Sequence, residues 1–298
     1  MPFFGPLSQY LCSKCGSILK VTANEIEIST VTEDCPNCGA SLASTLQRLN
    51  AKTETMPLKF TTAFDLLDSS QSELTSTCSP KGRKVVQFKS GIKAIDNFMS
   101  LGSTGAFAIT GYNANLLLTR LCVRSLLPAK YGGLGSQFAI VVDAGNKSDF
   151  YQTVNFIKQH GLHLRKTLDR IIVSRTFTIY QLKTLLQKQL PQVIEKYMPG
   201  VLIVPGLLDL FEDTNIKKRE AKRVIDRIMK TINEIASKLL VITTVNESKY
   251  NDLVLPSFTK QIRLASTDRN KVSLALYNEG RKANVTLTQK EMTIARDR

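Results

Sequence analysis

The chain has 298 residues, of which 43% are hydrophobic, and its formal net charge is +15. This size allows one large domain plus a small one with a sizeable core, and His (two) and Trp (none) are too scarce for chemistry that needs several histidines. No run approaches the roughly 20 apolar residues of a membrane helix, and the N-terminus lacks a signal-peptide pattern, so we expect a soluble, cytoplasmic protein without a membrane partner. The positive charge favours polyanionic partners, unless the proteins of its source organism are generally basic.

Near the N-terminus, four of the six cysteines form two CxxC pairs separated by 19 residues. Each pair can present two thiolates to one metal ion, and the gap suits a β-hairpin that brings the pairs together. Four thiolates are typical of a closed structural zinc site. Two disulfides or a redox CxxC are alternatives that an intracellular setting and the matched spacing disfavour. We therefore predict a zinc ribbon over residues 1–45, folded by Zn²⁺ on Cys12, Cys15, Cys35 and Cys38.

Residues 46–83 read as a linker, because they are rich in Ser and Thr and lack sustained apolar periodicity. An apolar island, KFTTAFDLLD, interrupts this linker at residues 59–68. The remaining cysteines, Cys78 and Cys122, stand alone and are expected to be packing or surface residues.

From residue 84 onward, short apolar runs alternate with amphipathic helical segments, which predicts an α/β fold with a mainly parallel sheet and helices on both faces. Three segments after residue 260 show period-two alternation and predict an antiparallel extension of the sheet. The apolar runs lie at residues 105–111, 137–145, 170–177, 200–208 and 238–245.

The segment ITGYNANLLLTRLC, residues 109–122, has the strand–turn–helix layout of a nucleotide-binding P-loop. Such a loop needs Gly-Lys-Ser/Thr so that backbone amides and a lysine meet the phosphates. Reading that motif from Gly111, the three positions are instead occupied by Leu116, Leu117 and Leu118.

Ligands of such sheets bind at the carboxyl ends of the strands, and three further nucleotide-site positions there are also replaced. The catalytic carboxylate that would polarise water is one of them, because the next strand ends in Asp143, Ala144 and Gly145. Pro205 stands at the position of the Walker B aspartate, and Val245 at that of a polar sensor residue. Four replacements at four elements predict a pseudo-ATPase, not an enzyme, with no ATP bound.

The chain resembles the archaeal RadA and eukaryotic strand-exchange recombinases, which are RecA-like ATPases, from about residue 59 to its end. The resemblance implies a RecA-like core over residues 84–298. It implies a paralogue of the recombinase, because a zinc ribbon replaces the family's N-terminal helical domain and the catalytic residues are replaced. The similar segments are FTTA (60–63), FKSGIKAIDNFM (88–99), VSRTF (173–177), VLIV (201–204) and the strands from residue 262 onward.

The same resemblance gives the apolar island a role. In the recombinases, a Phe-x-x-Ala linker motif inserts its Phe and Ala into the core of the neighbouring protomer, and this chain has Phe60 and Ala63 in that pattern. A Phe on an extended linker is a plausible interface anchor. The alternative is that Phe60 packs on its own core.

The segment 216–238 predicts a helix with an apolar stripe of isoleucines and a basic face. Cations in its first turn oppose the helix dipole by about 0.3–1 kcal/mol each, which suggests a use for them. In the recombinases, the loop before this helix faces single-stranded DNA, so we predict sequence-independent phosphate contacts; a solvated basic face is the alternative. Lys249 and Tyr250 in the loop after residue 245 are expected to offer a phosphate contact and a stacking ring. The basic residues are Lys217, Lys218, Arg219, Lys222, Arg223 and Arg227.

Together, these patterns predict a non-catalytic accessory factor of recombinational repair, associated with the nucleoid, that binds single-stranded DNA, a RadA-type recombinase, or both. One alternative is an adaptor that binds protein only. A second is an atypical ATPase with an unusual or shared site, for which few charged groups remain near the strand ends: Asp143, Arg175 and Asp209.

Overall fold

The computed structural model describes residues 8–11, 18–21, 60–63, 87–268 and 270–293. The chain divides into two compact units, Met1–Pro57 and Leu58–Arg298. In the first unit, β1 (Ser8–Leu11) and β2 (Ile18–Val21) pair antiparallel. The predicted zinc ligands lie outside the described residues: Cys12, Cys15, Cys35 and Cys38.

The described part of the second unit contains a mixed sheet of nine strands. In chain order they are β3 (Thr61–Thr62), β4 (Gly105–Gly111), β5 (Ala139–Ala144), β6 (Ile171–Thr176), β7 (Val201–Val204), β8 (Leu240–Val245), β9 (Lys260–Asp268), β10 (Lys271–Asn278) and β11 (Arg281–Thr288). Across the sheet, their order is β11-β10-β9-β4-β8-β7-β5-β6-β3.

The six central strands, from β9 to β6, are mutually parallel, whereas β3, β10 and β11 pair antiparallel at the two sides. The mainly parallel sheet and its antiparallel extension are therefore confirmed. Strand β9 joins the two parts of the sheet, because it is parallel to β4 on one side and antiparallel to β10 on the other.

Helices connect and cover these strands. They are α1 (Lys93–Phe98), α2 (Ala114–Ser125), α3 (Phe150–Gln159), α4 (Leu164–Leu168), α5 (Ile179–Thr184), α6 (Leu190–Tyr197), α7 (Lys218–Ala236), α8 (Asn251–Val254) and α9 (Gln289–Thr293). Single 3₁₀ turns lie at Ala129–Tyr131, Asp209–Glu212 and Leu255–Ser257.

Two apolar layers sandwich the sheet, because neighbouring residues of a strand point to opposite faces. On β4, Phe107 and Ile109 pack in the layer that contains α2 and α3, whereas Ala108 packs in the layer that contains α5, α6 and α7. Strand β7 is divided in the same way, with Ile203 in the first layer and Leu202 in the second. Burial on both faces explains why these strands are continuous apolar runs in the sequence.

The amphipathic segment between β6 and β7 does not form one continuous helix. A π-helical turn, Leu185–Gln189, separates α5 from α6. Pro191 in the first turn of α6 explains the interruption, because proline has no amide hydrogen to donate and its ring clashes with the preceding turn of an α-helix.

Two arginines of α2 are buried, each with a relative accessibility of 1%. The guanidinium of Arg120 donates to the carbonyl oxygens of Glu291 (2.6 Å) and Gly91 (2.9 Å). That of Arg124 donates to the carbonyl oxygen of Lys89 at 3.1 Å. These bonds fasten both the segment before α1 and the C-terminal helix α9 to α2.

Candidate functional site at the carboxyl edge of the sheet

The parallel strands β4 to β8 all end on the same side of the sheet, which we call the carboxyl edge. Ligands of open α/β sheets bind at such an edge, in a crevice where the chain reverses its direction of winding. The reversal here lies between β5 and β7, since β6 follows β5 to one side and β8 follows β7 to the other. All residues of the predicted degenerate nucleotide site lie at this edge or in α2.

The turn that was predicted to correspond to a P-loop is short. Strand β4 ends at Gly111 and α2 begins at Ala114, so only two residues separate them. The second of these, Asn113, has a left-handed backbone (φ 54°) and makes no side-chain cap bond to the helix.

The three leucines at the motif positions belong to the first turns of α2. Leu117 and Leu118 are buried in the core with accessibilities of 0% and 2%, and Leu116 is half-buried against it. All three side chains therefore contribute to packing of the core.

Gly111 is required by contact between strands. Its φ is +88°, and a Cβ atom there would lie 2.0 Å from the carbonyl oxygen of Leu264. The same oxygen accepts a hydrogen bond from the amide of Tyr112 at 3.0 Å. Glycine is therefore needed for the close approach of β9 to the end of β4.

The carboxylate of Asp143 is fully buried at the end of β5 and holds the turn that follows it. It accepts hydrogen bonds from the amides of Lys147 (2.6 Å) and Ser148 (3.3 Å). The Arg175 Nε atom lies 3.8 Å from its other oxygen. Gly145 (φ +81°) and Asn146 (φ +61°) both have left-handed backbones in this turn. The charge of Asp143 is thus stabilised within the protein.

A second polar cluster connects the turns after β5, β7 and β8. The carboxylate of Asp209 forms an ion pair with Lys147 (3.3 Å) and accepts a hydrogen bond from the Asn246 side chain (2.8 Å). The Thr244 hydroxyl donates to the side-chain oxygen of Asn115 at 2.7 Å, which ties β8 to the start of α2. Sequence reasoning missed the contacts of Asn115, Thr244 and Asn246, because their partners are distant in the chain.

The cavity between these groups is small. Its volume is about 20 Å³, and it is lined by side chains including Asn115, Leu118, Cys122, Lys147 and Pro205. A site for one water molecule needs roughly 10–15 Å³, whereas pockets for organic ligands usually measure roughly 300–1,000 Å³. The described residues at this position leave room for about one water molecule.

Cys122 is a packing residue, as expected. Burial raises the pKa of its thiol to about 12, because the thiolate would lose its hydration. The side chain is therefore neutral near pH 7 and is a poor nucleophile.

A larger groove of about 700 Å³ lies between α6 and α7. Its walls are partly apolar, with Pro191, Ile194 and Ile235, and carry the charged residues Glu234 and Lys238. None of the predicted nucleotide-site residues lines it, so its position does not correspond to the P-loop.

The basic helix has the predicted two-sided character. Ile225, Ile228, Ile232 and Ile235 are buried beneath α7. On its exposed face, acidic residues such as Glu220 and Asp226 stand among the basic ones. The six predicted DNA-contacting residues of this segment are exposed: Lys217, Lys218, Arg219, Lys222, Arg223 and Arg227.

Tyr250 cannot act as the expected stacking ring in this conformation. Its side chain has an accessibility of 1% and packs edge-on against Phe211, with ring centres 6.3 Å apart. The apolar ring fills the core under α8, a placement that the loop sequence does not reveal. Lys249 is exposed, with its ammonium group 5.2 Å from the centre of the Tyr250 ring.

The Phe-x-x-Ala segment lies at the edge of its own sheet. Thr61 pairs with Val173 and Thr62 with Ile172, so β3 extends the sheet beyond β6. Ala63 is fully buried, and Phe60 is half-buried against the layer beneath α5 and α7. In the single chain, Phe60 therefore packs on its own core, which was the alternative interpretation.

Several aromatic rings at the carboxyl edge are exposed, which the sequence analysis did not anticipate. They include Phe177 after β6 and Tyr180 in the first turn of α5. The Tyr180 hydroxyl donates to the Glu220 carboxylate at 2.6 Å, and this hydrogen bond raises the pKa of Tyr180. The bond joins α5 to the first turn of the basic helix.

Among the described residues, no group of three or more His, Cys, Asp or Glu side chains is arranged to hold a metal ion. Within the same residues, no helix is both long and apolar enough to cross a membrane. No protein-family model matches the sequence, and no curated protein matches it significantly.

Proposed function

We propose that this chain is a non-catalytic accessory factor with a RecA-like core, which binds a RadA-type recombinase and single-stranded DNA during recombinational repair. The mixed, mainly parallel sheet is compatible with such a core. The observation that carries the non-catalytic part is the burial of Leu117 and Leu118 at the P-loop position. The adjoining cavity of about 20 Å³ adds to it, since a nucleotide does not fit there.

Calorimetric titration of the full-length protein with MgATP tests this part. We expect no saturable heat, because the two-residue turn after Gly111 offers no cradle of amides. Saturable binding would overturn the proposal and favour the atypical ATPase, with Asp143, Arg175 and Asp209 as its charged groups.

The proposed contact with the recombinase rests on β3. Strand β3 has only two residues and pairs with the outermost parallel strand of the sheet. A segment this short can pair in the same way with the edge strand of a sheet in another chain. Ala63 is fully buried in one apolar layer of the sheet, and Phe60 packs, half-buried, against the other. These are the properties of a motif that recognises a matching sheet edge on a partner.

Capture of a RadA-type recombinase by the full-length chain tests this contact. We expect Phe60→Ala to weaken capture strongly, because it removes the main apolar anchor. Thr61→Ala, in the same segment, is the matched control and should change capture little. If Phe60→Ala lowers the thermal midpoint of the chain but leaves capture unchanged, the segment serves only its own core.

The proposed DNA contact rests on the exposed basic face of α7. Binding through phosphates weakens with salt, and log K falls with log [salt] by about 0.7 per contact for single strands. We expect the double charge reversal Arg219→Glu and Arg223→Glu to weaken oligothymidylate binding and reduce this slope. Lys158→Glu with Lys166→Glu, at exposed positions on α3 and α4, is the control with the same change in net charge. No salt-sensitive affinity, with recombinase capture intact, would favour the protein-only adaptor.

We also propose a structural Zn²⁺ on Cys12, Cys15, Cys35 and Cys38. The pairing of β1 with β2 supports it, since the segment that joins these two strands contains Cys12 and Cys15. Mass spectrometry under native conditions should find one zinc per chain, lost on Cys12→Ser with Cys35→Ser. Two disulfides in place of the metal would contradict this assignment.

A further inference from the structure

Exposed aromatic rings are concentrated at the carboxyl edge of the sheet. Among the described residues, five aromatic side chains are exposed by more than two fifths of their surface. Four of them follow the ends of β4, β5 and β6: Tyr112, Tyr151, Phe177 and Tyr180. The fifth, Tyr131, lies in the 3₁₀ turn after α2, towards the opposite edge. Rings kept in water at one edge indicate a binding surface.

Three of these rings, which we call the aromatic edge, are Tyr151 (79% exposed), Phe177 (63%) and Tyr180 (48%). Strands β5 and β6 are neighbours, with Ala144 opposite Thr176, so Phe177 emerges beside the turn that leads to α3. The guanidinium of Arg175 lies 5.9 Å from the ring centre of Phe150, the residue before Tyr151. The start of α3 and the end of β6 are therefore in contact.

The aromatic edge adjoins the basic first turn of α7. The hydrogen bond from Tyr180 to Glu220 fixes the distance between the two elements. Lys217, Lys218 and Arg219 immediately precede Glu220 and are exposed. Aromatic rings therefore lie next to a cluster of positive charges.

The acidic groups of this region are engaged within the protein. Glu220 accepts the Tyr180 hydroxyl, and Asp149 accepts the amide of Gln152 as the N-cap of α3. Glu212 and Asp213 accept hydrogen bonds from Ser248 and Asn215, respectively. Hydrogen bonds from these neutral donors orient the carboxylates without removing their charge, so attraction of an anionic chain depends on Lys217, Lys218 and Arg219 reaching its phosphates directly.

We propose that the aromatic edge stacks the bases of single-stranded DNA while Lys217, Lys218 and Arg219 contact its phosphates. This inference rests on the proposed DNA-binding function and adds the surface on which the bases bind. Every base has a flat face, so stacking on Tyr or Phe requires no particular sequence. A duplex hides these faces between its own base pairs, so a single strand is the preferred ligand.

The test compares two labelled ligands by fluorescence anisotropy with the full-length protein: oligothymidylate, and an abasic strand of the same length and charge. We expect oligothymidylate to bind more tightly. Phe177→Ala and Tyr151→Ala should each weaken its binding about 5- to 150-fold, the range of one base–aromatic stack, and leave abasic-strand binding unchanged.

Two controls accompany these variants. Tyr131→Ala removes an equally exposed ring near the opposite edge and should leave both affinities unchanged. Phe177→Tyr retains a ring and should restore most of the oligothymidylate affinity. Since all these positions are exposed, thermal midpoints should match that of the wild type.

The outcomes separate this inference from the proposed function. Equal binding of both strands, unaffected by Phe177→Ala and Tyr151→Ala, would overturn the stacking inference and leave phosphate binding by α7 in place. No binding of either strand by the wild type would overturn both. Loss of recombinase capture in the two variants, without loss of DNA affinity, would make the aromatic edge a protein contact. Tighter binding of an RNA strand of matching sequence would contradict the assignment to DNA.

Discussion

Helices α2 and α7 both begin at the carboxyl edge of the sheet and both carry arginines, but the two helices place them in opposite environments. Arg120 and Arg124 of α2 are buried and donate to backbone carbonyls. Arg219 and Arg223 of α7 are exposed. The difference arises because α2 has protein on two sides, the sheet on one and the segments near residue 90 and α9 on the other. Equal formal charge therefore has a structural role in one helix and a surface role in the other.

Because some of the arginines are buried, the formal net charge of +15 is not all present at the surface. Buried arginines add to the formal sum but present little charge to a partner, because protein surrounds them. The charge available for DNA belongs to residues such as those on the outer face of α7. The following predictions test the contrast, beginning with the largest expected effect.

The same substitution in both helices should give very different results. Arg120→Met keeps the length of the side chain but removes its donors to the carbonyls of Glu291 and Gly91. Because these carbonyl oxygens and that of Met292 lose charge-assisted bonds, we expect the free energy of unfolding to fall by about 3–5 kcal/mol. Arg223→Met should change it by less than about 0.5 kcal/mol. Urea denaturation measures both, and similar losses would show that α7 also depends on its arginines.

Truncation of a buried apolar side chain should lower the free energy of unfolding by a similar amount in either helix. Leu117→Ala in α2 and Ile228→Ala in α7 both truncate side chains with at most 1% accessibility. We expect each to lower the free energy of unfolding by about 2–5 kcal/mol, since each leaves a cavity. Leu116→Ala is the internal control for α2, because Leu116 is only half-buried, and should cost less. A small effect of Leu117→Ala would contradict its place in the core.

The turn that leads into α2 should be sensitive to a single methyl group. Gly111→Ala would place a Cβ atom 2.0 Å from the Leu264 carbonyl, on a backbone with φ +88°. The left-handed backbone alone costs about 1–2 kcal/mol for an L-residue, and displacing β9 adds to it. Gly105→Ala is the matched control, because no heavy atom lies within 4 Å of its added Cβ at φ +110°. Equal losses in thermal midpoint would mean that the backbone, and not the Leu264 contact, requires glycine.

The same contrast separates what the sequence could predict from what it could not. Apolar runs predicted the strands well, and the bounds of β4 agree with the predicted run at 105–111, because burial on both faces requires an uninterrupted apolar segment. The isoleucine stripe of α7 was equally predictable from its period. The apolar character of residues 116–118 was visible too, and Leu117 and Leu118 lie in the core.

The failures concern side chains whose environment depends on distant residues. Arg120 meets Glu291, 171 positions away, and nothing local in the sequence indicates that pairing. Tyr250 was expected to offer a stacking ring in the loop after residue 245, but its ring packs on Phe211. The exposure of Phe177 was missed because a hydrophobic residue that follows a strand is ordinarily assigned to the core. Contacts of this kind are set by the fold as a whole.

The smallest expected effect concerns the helix that Arg120 anchors. At the start of α9, Thr288 and Glu291 form a reciprocal capping box: the Thr288 amide and hydroxyl donate to the Glu291 carboxylate at 2.8 Å, and the Glu291 amide donates back to the Thr288 hydroxyl. These bonds to Thr288 lower the pKa of Glu291. A carboxyl whose pKa is lowered in the folded state contributes stability above its unfolded pKa, about 4.3, and loses it as the pH falls through the folded value.

We therefore expect Glu291→Gln to lower the free energy of unfolding by less than about 1 kcal/mol at pH 7, because the side chain is largely exposed and the neutral amide still accepts a hydrogen bond. The difference from the wild type should shrink as the pH falls below the unfolded value of about 4.3 and then through the lowered folded pKa, below which the native carboxyl is neutral as well. Urea denaturation at pH 7 and in acid measures it, with Glu279→Gln in the β10–β11 turn as the control. A difference that stays constant with pH would assign the effect to packing of α9, which depends on Arg120, and not to the charge of its cap.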